Sequence, residues 1–127
     1  MDAAWARAVE SGDLAGVRAL LAAGLDVDAR DRYGQTALML AAHRGDQPLV
    51  DALIEAGADL NATAKYHLSA LMLAIVAGHP AVALALARAG ADRSIRGTGA
   101  PGFADKTAYD LALGRGMHDV AAELHGG

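Results

Sequence analysis

Between residues 36 and 57 the apolar residues fall into two short runs, each with a helical spacing. The first run follows Thr36 and ends at Gly45, and the second follows Asp46 and ends at Gly57. The apolar residues of the second run are Leu49, Val50, Leu53 and Ile54. Such spacing places them on one face of a helix, and Pro48 suits a first helical turn, where its missing N–H costs nothing. The pattern therefore predicts a helix, a turn, a second helix and a loop.

This pattern returns every 33 residues along the chain. Glycines mark the period at Gly12, Gly45 and Gly78, and again at Gly24, Gly57 and Gly90. Apolar columns keep the same step at Leu20, Leu53 and Leu86, at Ala8, Ala41 and Ala74, and at Trp5, Leu38 and Leu71. Residues 107–112 match residues 36–41 at a separation of 71 residues instead of 66, so five residues are inserted between Arg96 and Phe103. We therefore predict four stacked units, with Thr36, Ser69 and Thr107 as caps of first helices and Asp46 as the cap of a second helix.

The expected organisation is a single domain spanning residues 1–127. Its expected parts are repeat 1 at about 1–30, repeat 2 at 31–63, repeat 3 at 64–96, an inserted loop at about 96–104, and repeat 4 at 105–127. Terminal units of a stack need one polar face. Polar residues occupy otherwise apolar columns at Arg7, Glu123 and His125. These ends favour an array complete at four repeats with Gly126-Gly127 as a frayed tail, and the alternative is a piece of a longer array.

Composition narrows the classes of function. The chain has 127 residues, is 54% hydrophobic and carries a formal charge of −4, which argues against a broad nucleic-acid surface. It contains no cysteine, so disulfides and thiolate zinc sites are excluded. The sequence shows neither a signal peptide nor an apolar stretch of membrane-spanning length. We therefore expect a cytoplasmic protein with no membrane or nucleic-acid partner.

Residues 31–42, followed by Gly45-Asp46 and by 57–62 (GADLNA), resemble the ankyrin repeat, and the resemblance covers nearly the whole chain in four units. One departure is the absence of the family's histidine, whose place is taken by Met39 and Met72; we expect these to pack instead of forming its hydrogen bond. Another is His67, which stands where the preceding unit has Gly34. His67 is strained if the backbone keeps a positive φ there.

The resemblance implies an all-α solenoid of helix-turn-helix units with hairpin-like loop fingers, binding partners on the concave side of loop tips and first helices. The corresponding candidate residues are Arg32, Tyr33, Gln35, His43, Arg44, Lys65, Tyr66, Leu68, Phe103, Lys106 and Arg115. This set is basic and aromatic in an acidic chain. It predicts a monomeric, non-catalytic adaptor or inhibitor whose protein partner presents an acidic and apolar surface. The alternatives are a structural or self-assembly unit and, less favoured, a small-molecule binder.

Other apparent motifs lack the context that their chemistry needs. Residues 97–102 spell GxGxxG, but nothing around them predicts a βαβ unit. Residues 26–31 have Arg30 at a calcium-ligand position, and His118 and His125 lie too far apart on one helix to share a metal. We predict no cofactor, no metal and no catalytic residues. Trp5 is predicted to seal the core, and the inserted loop to be either a turn-rich extension or a lip over the concave groove.

Overall fold

The computed structural model describes residues 1–125, which form eight α-helices in four consecutive pairs. The helices are α1 (Ala3–Ser11), α2 (Leu14–Ala22), α3 (Ala37–Arg44), α4 (Gln47–Glu55), α5 (Ala70–Val76), α6 (Pro80–Arg88), α7 (Ala108–Gly114) and α8 (His118–His125). A short 3-10 helix occupies Lys65–His67. The prediction for Gly126-Gly127 lies outside the described residues.

Side-chain caps begin the helices where the sequence indicates them. The hydroxyls of Thr36, Ser69 and Thr107 each accept the backbone N–H three residues ahead, at 3.3 to 3.4 Å. Asp110 returns the contact by accepting the Thr107 backbone N–H at 3.0 Å, and this bond holds the pKa of Asp110 below its ordinary value. Asp46 caps α4 as predicted, accepting from the Leu49 N–H at 3.2 Å. Local caps therefore fix the start of each first helix from α3 onwards.

The helices stack in two layers. The first helices of the pairs, α1, α3, α5 and α7, contact one another in chain order, and the second helices, α2, α4, α6 and α8, do the same behind them. Alanines line the first-helix layer at Ala8, Ala41, Ala74 and Ala112, and all four are buried. Small side chains let neighbouring helices approach closely. The predicted all-α stack of helix pairs is confirmed.

Large apolar residues fill the space between successive pairs. Leu53 and Leu86 are fully buried, and Trp5 is 1% exposed, as predicted for a residue that seals the first unit. Met39 and Met72 are also 1% exposed, so they pack in the core as expected. The polar residues predicted in the end units do not fill the core in this way. Arg7 is exposed, and Glu123 Oε1 lies 3.5 Å from Arg88 Nε.

The loops between successive helix pairs are joined by hydrogen bonds from backbone N–H groups to side-chain oxygens. Asp28 accepts the Asp59 N–H at 2.8 Å, and Asn61 accepts the Asp92 N–H at 2.7 Å. The Ser94 hydroxyl and the Ser94 backbone N–H both donate to the Asp92 carboxylate. These two bonds, and the hydroxyl's more than the other, lower the pKa of Asp92. Asp28 belongs to residues 26–31, which partly match a calcium loop, and its carboxylate thus stabilises the backbone of the next loop. Among residues 1–125 no helix combines the length and hydropathy needed to cross a bilayer.

Candidate functional site

Two loop fingers project beside the first-helix layer, and each carries a cation next to an aromatic ring. The fingers are numbered by the repeat they belong to. In the second finger, residues 31–35, Arg32 Cζ lies 5.0 Å from the centroid of the Tyr33 ring. In the third finger, residues 64–68, Lys65 Nζ lies 5.0 Å from the centroid of the Tyr66 ring. The two pairs occupy equivalent positions one period apart. We call the surface formed by the fingers and the adjacent flank of the first helices the inner face.

The second finger is held by its own residues. The Asp31 carboxylate accepts the backbone N–H groups of Tyr33 and Gln35, both at 2.9 Å. Gly34 has φ 76°, which glycine adopts without strain. Arg30 donates to the Gly34 carbonyl at 2.7 Å and to Thr63 of the next unit at 2.9 Å. This leaves the Tyr33 side chain projecting, with the residue 66% exposed.

The third finger has neither the aspartate nor the glycine of the second. Tyr66 and His67 both have positive φ, 60° and 59°, so the strain expected at His67 extends to its neighbour. The left-handed conformation costs non-glycine residues roughly 1–2 kcal/mol each. Outside contacts compensate: the Thr98 N–H donates to the Tyr66 carbonyl at 2.8 Å, and His67 Nδ1 donates to the Arg96 carbonyl at 3.0 Å.

Those contacts come from the inserted loop, residues 96–104. The loop is closed at its base, because the Gly97 N–H donates to the Lys106 carbonyl and the Asp105 N–H donates back to Gly97, at 2.9 and 2.8 Å. The Phe103 ring packs on Tyr66 with centroids 5.4 Å apart. The loop is thus turn-rich, and it also adds a side chain to the inner face. It contains the GxGxxG match, and α7 begins only at Ala108.

Fingers, first helices and inserted loop together enclose a groove of about 220 Å³. We call it the aromatic groove; its lining residues are Gln35, His43, Ala64, Lys65, Tyr66, Leu68, Leu73, Val76 and Phe103. Six of the eleven predicted site residues are among them. Leu68 is only 3% exposed, so it contributes to the floor of the groove and not to an open surface. Among residues 1–125, no aspartate or glutamate lines the groove.

The family model described as Ankyrin repeats (3 copies) matches residues 5–96. The chain belongs to the ankyrin-repeat family. Ankyrin repeats are generally protein–protein interaction modules and are typically non-catalytic. A comparison with curated proteins finds no match. The matched segment of this ankyrin array ends where the inserted loop begins, and α7 and α8 continue the stack beyond it.

The remaining predicted residues of the ankyrin array lie outside the groove. Arg32 and Tyr33 line a separate depression of about 400 Å³ between the second finger and α1. Lys106 and Arg115 are exposed. Arg44 holds the end of α1, donating to the Val9 carbonyl at 2.6 Å and to the Asp46 carboxylate at 3.1 Å. Its guanidinium is thereby engaged in the stack, where it complements the helix dipole.

Three groove residues were not in the predicted set, Ala64, Leu73 and Val76. The period could have indicated Leu73, since it follows Leu40 by 33 residues and Leu40 lines the depression beside the second finger. Leu73 is half-buried, so one side packs in the stack while the other faces the groove. Within residues 1–125 there is no cluster of three or more potential metal-ligating side chains.

Proposed function

We propose that this ankyrin array is a non-catalytic protein-binding module, an adaptor or inhibitor, whose inner face binds a partner with an acidic and apolar surface. The observation that carries the proposal is the repeated cation–aromatic pair at the tips of two consecutive fingers. The pair of the third finger lines a groove in which the described residues include no carboxylate. A partner that spans both fingers would contact both pairs at once.

The residue types at these tips suit an anchoring role. Tyrosine buries a large area with little loss of rotamer freedom, and truncation of such anchors is among the costliest changes at interfaces. A tyrosine that projects into solvent at 66% exposure, from a finger whose backbone is fixed by Asp31, is already arranged for contact. Binding therefore requires little ordering of the free protein.

Charge favours an acidic partner surface. The chain as a whole carries −4, whereas Arg32 and Lys65 bring positive charge to the finger tips and the groove contains no acid. Complementary potentials speed association and disfavour basic competitors. A basic partner would be repelled by Lys65 and would find no carboxylate among the described residues of the groove.

The test is quantitative binding to a purified partner. Affinity capture from source cells identifies the candidate, and calorimetry then measures its Kd for the wild type and for the double variant Tyr33→Ala/Tyr66→Ala. We expect the double variant to bind at least about tenfold more weakly, because two anchors are lost. The matched control is Arg18→Ala/Glu55→Ala, which removes two exposed side chains from α2 and α4 without changing the net charge.

Unchanged affinity of the tyrosine variant, together with weakened binding of the control, would place the interface on the second-helix side and contradict the proposal. Light scattering on the free protein tests the alternative of self-assembly. A stable oligomer that persists in the tyrosine variant would favour a structural role for the array.

A further inference from the structure

The aromatic groove has apolar walls and a polar rim. Leu68, Leu73 and Val76 form its apolar floor, while Tyr66 and the inserted Phe103 pack together as an aromatic wall. Gln35, His43 and Lys65 supply the polar groups. The wall depends on the inserted loop, because Phe103 of that loop supplies the ring that packs on Tyr66.

The size of the groove fits a single side chain. At about 220 Å³ it is smaller than pockets that hold drug-sized molecules, which are usually ~300–1,000 Å³. A single aliphatic or aromatic side chain would contact the floor and the aromatic wall together. Contacts of this kind, with most of the side chain removed from water, give interface anchors their energy.

The charges around the groove select the neighbours of that side chain. Lys65 is exposed, and the groove lining provides no carboxylate to pair with it. The nearest acid of the second finger, Asp31, is already bound to two backbone N–H groups, and Asp105 faces Arg96 at 3.8 Å. A carboxylate beside the incoming side chain therefore finds a cation available at the rim.

We propose that the aromatic groove binds one aliphatic or aromatic side chain from an acidic segment of the partner protein, with a neighbouring carboxylate facing Lys65, and that Phe103 of the inserted loop determines this specificity. The inference rests on the proposed function and adds the chemical class of the bound segment to it. Phe103 acts by direct contact with the bound side chain.

The wall is pre-formed in the free protein. Besides the bond from Thr98 to Tyr66, the Arg96 guanidinium donates to the Asp105 carbonyl at 2.8 Å, across the base of the loop. At Gly99 the loop backbone passes so close to Tyr66 that an added Cβ would lie 3.1 Å from the ring atom Cδ1. The tyrosine is thus supported from one side and exposed to the groove on the other, which lowers the entropic cost of binding.

The loop itself offers a matched pair of variants. A Cβ added at Gly97 would overlap the Phe103 carbonyl oxygen, so Gly97→Ala must change the position of Phe103 relative to Gly97. At Gly102, in the same loop, an added Cβ meets nothing within 4 Å and the backbone φ is not left-handed. Gly102→Ala is therefore the control for the same chemical change without movement of the wall.

The experiment selects binders for the full-length wild-type protein from a random short-peptide phage library and measures the Kd of synthetic copies. We expect enrichment of sequences that combine Asp or Glu with Leu, Ile, Phe or Trp. Phe103→Ala and Gly97→Ala should weaken the selected peptides about tenfold or more, with Gly102→Ala unchanged. Lys65→Gln should weaken them about two- to fivefold and reduce the salt dependence.

Circular dichroism melting checks that each variant is folded. If Gly97→Ala is unfolded, Phe103→Ala still tests the role of the aromatic wall. Selection of no binder, or of basic or purely polar peptides, would overturn the inference. Acidic peptides that lose affinity in Tyr33→Ala but not in Phe103→Ala would overturn it too, while leaving inner-face binding intact. Peptides insensitive to every one of these variants would contradict both proposals.

Discussion

The second and third fingers occupy equivalent places one period apart and present the same cation–aromatic pair, yet they are held in different ways. The second finger supports itself through the Asp31 carboxylate and the left-handed Gly34. The third finger replaces these residues with Ala64 and His67 and takes its support from the inserted loop. The tip side chains are of the same types, but the two fingers differ in their source of rigidity.

The difference teaches that an insertion in one unit can stand in for turn residues missing from its neighbour. The strained backbone at Tyr66 and His67 persists because backbone groups of the inserted loop form hydrogen bonds with the Tyr66 carbonyl and the His67 ring. Backbone strain maintained in this way is common at binding sites. The third finger and the loop are therefore one structural element, whereas the second finger is an element by itself.

The largest expected effect comes from the core that both fingers share. Leu53 is fully buried between the helix pairs that carry them, and Leu53→Ala should cost about 2–5 kcal/mol of unfolding free energy. Denaturant titration measures the loss, and Leu113→Ala, at a residue 48% exposed, is the control expected to be nearly neutral. A Leu53→Ala protein that unfolds like the wild type would show that the fingers do not rest on this core.

Gly34→Ala addresses the self-supported finger. Nothing lies within 4 Å of the added Cβ, so the cost arises only from placing alanine at φ 76° and should be about 1–2 kcal/mol. Gly102→Ala, with open space and no left-handed φ, should leave the free energy of unfolding close to that of the wild type. Equal stability of the two variants would remove the glycine requirement from the second finger.

His67→Gly, at the equivalent position of the third finger, should have the smallest effect. Glycine relieves the strain at φ 59° but loses the bond to Arg96, worth about 0.5–1.5 kcal/mol, and raises the entropy of the unfolded chain. The gain and the losses should cancel to within about 1 kcal/mol in the free energy of unfolding, measured by thermal or denaturant unfolding. A much larger loss would mean that the His67 side chain, and not the loop backbone, holds this finger.

Much of the architecture could be predicted from the sequence because periodic burial is local information. The period placed Thr36, Ser69 and Thr107 as helix caps, and each one is a cap. It also placed Leu53 and Leu86 in the core, where both are buried.

Contacts between distant side chains were harder to predict. Arg44 matched the binding face by position, yet its partners belong to α1, 34 and 35 residues away. The packing of Phe103 on Tyr66 depends on how the inserted loop folds, and no periodic position encodes that conformation. Leu68 was predicted as a binding residue on the concave side, but it is only 3% exposed.

Binding at the aromatic groove is tested most directly by NMR chemical-shift mapping on the isotope-labelled protein, titrated with an acidic peptide selected against it. We expect the largest changes at His43, Tyr66 and Phe103, smaller ones at the second finger, and none at residues exposed on α2 and α4. Changes centred on the second helices, with Tyr66 and Phe103 unaffected, would contradict it.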